Sequence, residues 1–184
     1  MNNELKTKLS KVERLLESQA MDALLVQRVD NFAWLTGGAA SYVNTADNVG
    51  AASLLIAPSG RYVLTNNIEA TRLRAEEKLE DQGWEFVVSD WYQAADDISL
   101  LTKGLKMGTD GIFPGDADLN AALTTLRMVL SPEEQVRFRG LSKLCAQAMD
   151  AAIHQLKPGI SEFEIAAQLG AEAQKRGVQP IVNL

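Results

Sequence analysis

Asp22-Ala23-Leu24-Leu25-Val26 is an apolar run behind a single acidic residue, long enough for a strand and too short for a helix. With no polar residue alternating in it, it reads as a strand covered on both faces. The stretch therefore predicts the centre of a parallel or mixed sheet with helices on its sides. The flanking sequence agrees. Leu5, Leu9, Val12, Leu15 and Leu16 recur at three and four residues with Lys and Glu between them, which predicts an amphipathic helix from Glu4 to about Ala20. Asn31-Phe32-Ala33-Trp34-Leu35-Thr36-Gly37 reads as a short helix closed by glycine, followed by a small-residue and polar loop to Gly50.

Further on, Ser53–Ala57, the turn Pro58-Ser59-Gly60 and Arg61–Thr65 form a hairpin by their turn chemistry. Asn66 or Asn67 can cap a helix running through Ile68, Leu73 and Leu79, which Gly83 stops before a strand at Glu85-Phe86-Val87-Val88. A helix around Ala94 to Leu101, a strand at Leu105-Lys106-Met107 and a helix from Leu119 to Leu130 complete the pattern. The fold class is thus α/β, a mixed sheet flanked by helices, over residues 1–130.

Ser131-Pro132-Glu133-Glu134 then supplies a serine N-cap, a proline at the first helical position and a glutamate at the third, so a long helix begins there. Leu141, Leu144, Cys145, Ala148, Met149, Ala152 and Leu156 form its predicted buried stripe, and Pro158-Gly159 ends it. Ser161-Glu162-Phe163-Glu164 repeats the capping box for a second helix, with Ile165, Ala166 and Leu169 on its buried side and Gly177 at its end. The apolar tail from Val178 to Leu184 reads as the opening of a strand with nothing after it to pair with. Residues 131–184 are therefore expected to be the start of a truncated second domain.

Composition narrows the function. The 184 residues carry 18 basic and 24 acidic side chains without a Lys/Arg run, so nucleic acid and anionic membranes lack an electrostatic basis as partners. No apolar run reaches the length of a membrane span, and the N-terminus has no signal-peptide core, so a cytoplasmic location is expected. One histidine, His154, and one cysteine, Cys145, preclude a disulfide, a Cys-rich zinc site or a multi-histidine metal cage within this sequence. His154 lies opposite the apolar stripe of its helix and reads as a surface or interdomain residue; Cys145 lies on the stripe and reads as an inert core thiol. Asp110, Asp116 and Asp118 in TDGIFPGDAD lack the spacing of a calcium loop and read as a turn leading into a helix. Gly37, Gly38 and Gly50 are followed by neither a Gly-Lys-Ser/Thr nor a dinucleotide fingerprint.

Read in order, the apolar strand, NFAWLTG at 31–37, the hairpin, NIEATRL, the stretch R-x-x-x-SPEEQVRFRGLSKLCAQAM from Arg127, LKPGISEFEI and a closing Pro-Ile-Val resemble the creatinase, prolidase and aminopeptidase P group of pita-bread metallopeptidases. Residues 1–130 resemble the N-terminal domain of that family, and 131–184 the first two helices of its catalytic domain. The resemblance implies a homodimeric parent enzyme using two divalent cations (manganese, cobalt or zinc) to cleave Xaa-Pro peptide bonds, with the N-terminal domain shaping the substrate cleft and the dimer. It also implies that the metal ligands, two Asp, one His and two Glu, lie beyond Leu184, so this chain has no catalytic residues, metal ligands or cofactor of its own and is inactive alone. Asn183-Leu184 stands where many active relatives have a small residue and glycine. The alternative reading is accordingly a non-catalytic dimerisation or partner-binding domain of a pseudoenzyme.

By the same resemblance, Asn31 and Trp34 lie on the substrate side, where a polar group can hold the amino end of a peptide and an aromatic can wall its pocket. By chemistry alone, Asn31 is equally an N-cap and Trp34 a core aromatic. Tyr42 and Asn44 in the following loop are lesser candidates for the same wall.

Overall fold

The computed structural model describes residues 3–92 and 96–180. Two compact units divide it, residues 1–129 and 130–184.

In the first unit, helix α1 (Asn3–Gln19) leads into β1 (Ala23–Arg28), and α2 (Val29–Thr36) follows β1 without an intervening loop. Strands β2 (Val49–Ala57) and β3 (Gly60–Asn66) form the hairpin; then come α3 (Ala70–Ala75), a 3-10 turn at Glu80–Gln82, β4 (Glu85–Ser89), α4 (Asp97–Leu101), β5 (Met107–Thr109), β6 (Ala117–Asp118) and α5 (Asn120–Arg127). The six strands lie in the order β4-β3-β2-β1-β5-β6. Only β2 runs against its neighbours: β1 pairs antiparallel with β2 and parallel with β5, and β3 pairs parallel with β4. The carboxyl ends of the other five strands therefore share one edge of the sheet.

The mixed sheet with helices on its faces is the architecture expected from the sequence. Leu24, Leu25 and Val26 of β1 are all fully buried, as a two-sided cover requires. Leu24 and Val26 join Val12, Phe32, Leu54, Val63, Leu73 and Trp84 on one face. Ala23 and Leu25 join Leu55, Tyr62, Leu64 and Met107 on the other.

Several elements differ in extent. Helix α2 begins at Val29, two residues before Asn31, and ends on Gly37 with φ +74°, where the amide of Gly38 turns back to Ala33 O. The helix expected from Ile68 to Leu79 shrinks to α3 and the 3-10 turn. Asn66 Oδ1 accepts the amides of Ile68 and Glu69, capping a turn and not a long helix. Helix α4 starts at Asp97, and Ala94, expected within it, lies outside the described residues. Helix α5 stops at Arg127, short of Leu130, and β6 occupies part of the stretch read as a turn.

The second unit contains α6 (Pro132–Ile153) and α7 (Glu162–Lys175). Both predicted capping boxes form: Ser131 Oγ accepts the Glu134 amide while Glu134 takes the Ser131 amide, and Ser161 and Glu164 do the same. The stripe reading of α6 needs correction. Ala148 and Ala152 are buried, whereas Leu141, Leu144, Met149 and Leu156 are exposed, as is Cys145. On α7, Ile165 is exposed as well. The helices meet through small residues, which allow close approach at those positions and leave the larger side chains of the stripe uncovered within this unit. The strand opening expected from Val178 onward has no regular structure at Val178–Pro180, and 181–184 lie outside the described residues.

A polar tie joins the end of α6 to α7. Glu172 accepts from Lys175 Nζ at 2.7 Å, from Arg176 and from Gln155 Nε2 at 3.1 Å, and these donors hold its carboxyl at about 2 against an ordinary 4.5. A carboxylate with a depressed folded-state pKa stabilises the fold above its unfolded value, and that stabilisation disappears as the pH falls through the folded value. Thermal melts followed by helical circular dichroism are therefore expected to show α6–α7 weakening between pH about 4.5 and about 2, with a smaller pH response in Glu172→Gln.

Candidate functional site at the carboxyl ends of β1 and β5

In open α/β sheets the carboxyl ends of parallel strands, where helices begin, are where polar groups converge. Here that place is the end of the parallel pair β1 and β5. Asp110 follows β5 directly and is fully buried. One of its oxygens, Oδ2, accepts three N–H groups: the amides of Gln27 at 3.0 Å and Arg28 at 2.7 Å, and Asn31 Nδ2 at 3.2 Å. Asn31, also fully buried, donates in addition to Asn120 Oδ1 at 3.4 Å. Asp30 beside it accepts from Arg127 Nη2 at 2.8 Å, so the last turn of α5 is tied to the first turn of α2.

This geometry explains why α2 starts where it does. Its N-cap, Arg28, makes no side-chain cap. The free amides of the first turn find tertiary and local acceptors instead: Val29 N donates to Asn48 O and Asn31 N to Asp30 Oδ1. The Asp110 carboxylate lies against the same end, where the helix dipole favours negative charge. The result is an anchoring network. Asp110 has no exposed surface through which to meet a dissolved substrate, and its Oδ2 is fully engaged by N–H donors.

Asn31 is a residue of α2 and not its cap. Trp34 is buried in the core between α2 and α1, with Lys8 Nζ 5.5 Å from its ring centroid and donating to its carbonyl at 2.8 Å. The structure thus places Asn31 in the Asp110 network and Trp34 against the buried Lys8–Glu4 pair, one helical turn apart. Tyr42 is half-buried, and Asn44 is exposed with its Oδ1 turned to the Ala46 amide.

The remaining candidates sit elsewhere. Asp116 Oδ2 accepts the Met107 amide at 2.7 Å and Asp118 Oδ1 the Asn120 amide at 2.9 Å, so both serve the turn from β5 into α5. Gly37 and Gly38 spend their amides on the end of α2, and a Cβ at Gly50 would strike the Ser41 side chain. His154 is exposed at the end of α6 with Nδ1 2.8 Å from Asp150 O. Among the described residues no three His, Cys, Asp or Glu side chains come together as a metal site. Asp110, Asp116 and Asp118 each spend one carboxylate oxygen on N–H donors of the protein. No helix among them is long and apolar enough to cross a membrane.

Sequence reading missed the central part of Asp110 and the partnership of Asp30 with Arg127. The available signal was an aspartate placed directly behind a strand, in a segment that also carries a glycine at φ +83°, Gly111. Replacing Asp110 with Ala leaves the backbone amides of Gln27 and Arg28 without this acceptor and takes one of two acceptors from Asn31 Nδ2, for an expected loss of about 3–5 kcal/mol. Asn31→Ala is expected to cost about 1–3 kcal/mol, and the double variant less than the sum, as measured by urea unfolding of the four proteins.

Comparison with known proteins agrees with the geometry. The family model for the creatinase/prolidase N-terminal domain matches residues 8–112. No curated protein sequence matches the chain. Among solved structures, a prolidase from Thermococcus sibiricus superposes with a TM-score of 0.71 at 16% identity, covering 95% of this chain and 50% of that one. The X-Pro aminopeptidase of Thermotoga maritima gives 0.61 at 19% identity, over 91% of this chain and 49% of the other. Aminopeptidase P from E. coli gives 0.64 at 14%, over 96% and 51%. The chain therefore spans about half the length of the structures it resembles, and its likeness to them is one of fold. Since the family match takes in more than half of the sequence, including the whole run from α2 to Asp110, this chain belongs to the creatinase/prolidase N-terminal domain family.

Proposed function

We propose that this chain is the N-terminal portion of a metal-dependent peptidase that cleaves Xaa-Pro bonds, and that its first unit shapes the substrate cleft of that enzyme. The observation that carries the reading is the extent of the likeness. Not only the sheet but the whole chain, α6 and α7 included, follows the fold of prolidases and an X-Pro aminopeptidase over 91–96% of its length. In this reading the two divalent cations, manganese, cobalt or zinc, and their ligands belong to residues following Leu184. In the same reading the carboxylates of this chain take no part in the chemistry.

Asn31 and Trp34 keep a substrate-side role in the proposal, exerted through the placement of α2. Both side chains are buried in the unit, so a change at either one shifts the helix and whatever the helix presents. The peptide substrate reaches the chain only as part of the parent enzyme.

The test is to read the gene past the codon for Leu184 and to assay release of an amino acid from an Xaa-Pro dipeptide with added manganese. The 184-residue chain is expected to give no turnover. The product of the continuing frame is expected to carry two Asp, one His and two Glu ligands and to respond to metal. A frame that ends at Leu184, or continues without those ligands and without turnover, would overturn the peptidase reading and leave a binding or dimerisation domain.

A further inference from the structure

Buried side-chain atoms without a hydrogen-bond partner gather at the β1–α2 junction. Among the described residues they include Arg28 Nε, Asn31 Oδ1, Asp110 Oδ1 and Arg127 Nε. Two of them sit on side chains that already touch. Asn31 and Asp110 are fully buried, and the bond from Asn31 Nδ2 to Asp110 Oδ2 leaves one acceptor oxygen over on each. Reversing the Asn31 amide does not relieve this, because its oxygen would then face Asp110 Oδ2, itself an acceptor. Buried acceptors left without a donor are unfavourable and rare in folded proteins, so the pair calls for a donor from outside the chain.

We propose that the junction is a binding site for one resident water molecule, which donates to Asp110 Oδ1 and to Asn31 Oδ1. Charge and size select the occupant. Four charged groups meet here: Asp110, which takes the amides of Gln27 and Arg28, and Asp30, which pairs with Arg127 Nη2 at 2.8 Å and has Arg28 Nε at 3.8 Å. Their two negative and two positive charges already cancel, so an added ion would stand uncompensated in a buried place. A metal ion would also leave the Nε donors of Arg28 and Arg127 unserved, and an anion would do the same to the two oxygens. Water both donates and accepts. Asn31 and Asp110 have no exposed surface, which excludes a larger polar molecule.

The water gives Asn31 a second tie to Asp110. With it, each polar atom of the two side chains has a partner, and the Asn31 amide is held at both its oxygen and its nitrogen. Two bonds to the protein lie within the range of about two to four that buried waters make. The site also accounts for an amide at position 31. An aspartate there would set two carboxylates against each other, and an apolar residue would leave the water a single acceptor of the two. This inference goes beyond the peptidase reading and stands or falls independently of it.

The test is nuclear magnetic resonance on the 184-residue chain. The Asn31 Nδ2 protons are expected to show dipolar cross-peaks to water whose sign marks a molecule held in place and not one passing through the surface layer. Oxygen-17 relaxation dispersion of the solvent, which counts long-lived waters, is expected to lose part of its amplitude in Asn31→Leu, where an apolar side chain of similar size removes one of the two acceptors. Should that variant not fold, the cross-peaks of the unsubstituted chain decide alone. Three results would each overturn the proposal: no such cross-peaks, an unchanged dispersion amplitude in a folded Asn31→Leu, or selective broadening of the Asn31 resonances by manganese ions, which would assign the place to a cation.

Discussion

The first unit depends on one buried carboxylate that gathers N–H groups from a distant part of the chain. β1 passes into α2 with no loop residues between them, so the backbone must change from strand to helix at Arg28. Such a junction exposes amide groups that neither the strand ladder nor the helix can satisfy. Asp110 answers two of them from the end of β5 and engages Asn31 as well. Hydrogen bonds to a charged acceptor are roughly twice as strong as those between neutral groups, which suits a junction of this kind. Asp110 ties the start of α2 to the end of β5 and, through Asn31 and Asn120, to the start of α5.

The distinction between local and distant partners also decides what could be read in the sequence. The capping boxes at Ser131 and Ser161 are complete within four residues each, and both are found where the sequence puts them. The start of α2 is not where Asn31 would put it, because its first-turn amides find Asn48 O and Asp30 Oδ1 rather than its own N-cap side chain. Apolar continuity in Ala23–Val26 revealed the central strand. The same logic could not reveal β6, whose two residues carry no pattern at all. Of the candidate site, Asn31 and Trp34 were visible as residue types in a family-like stretch. The core position of Trp34 was one of its two readings; the burial of Asn31 was not visible, because it depends on Asp110 and Asn120 arriving from other elements.

In the second unit the periodicity of α6 was real but its meaning was incomplete. A repeating apolar face says that a helix has a side suited to burial, and it says nothing about whether another element covers that side. Ala148 and Ala152, the smallest residues of the stripe, are covered, and Leu141 and Met149 are not. Small residues mark close helix approach better than large ones do, which makes them the more informative part of such a stripe when the number of neighbouring elements is unknown.

The wide separation of Asp110 from the residues it binds also bears on how the chain acquires its fold. β1 to β4 follow one another along the chain and pair in that order across the sheet, so their pairings close shorter loops than the pairing of β5 on β1 does. The bond from Gln27 to Asp110 spans 83 residues, and closing that loop carries its entropic cost before any reward. The parallel pairing of β5 on β1 is therefore suited to be a late step. Until it is complete, the Gln27 and Arg28 amides lack the carboxylate and are left to water. The bonds of the carboxylate are thus gained only when the two ends of the unit's sequence have met.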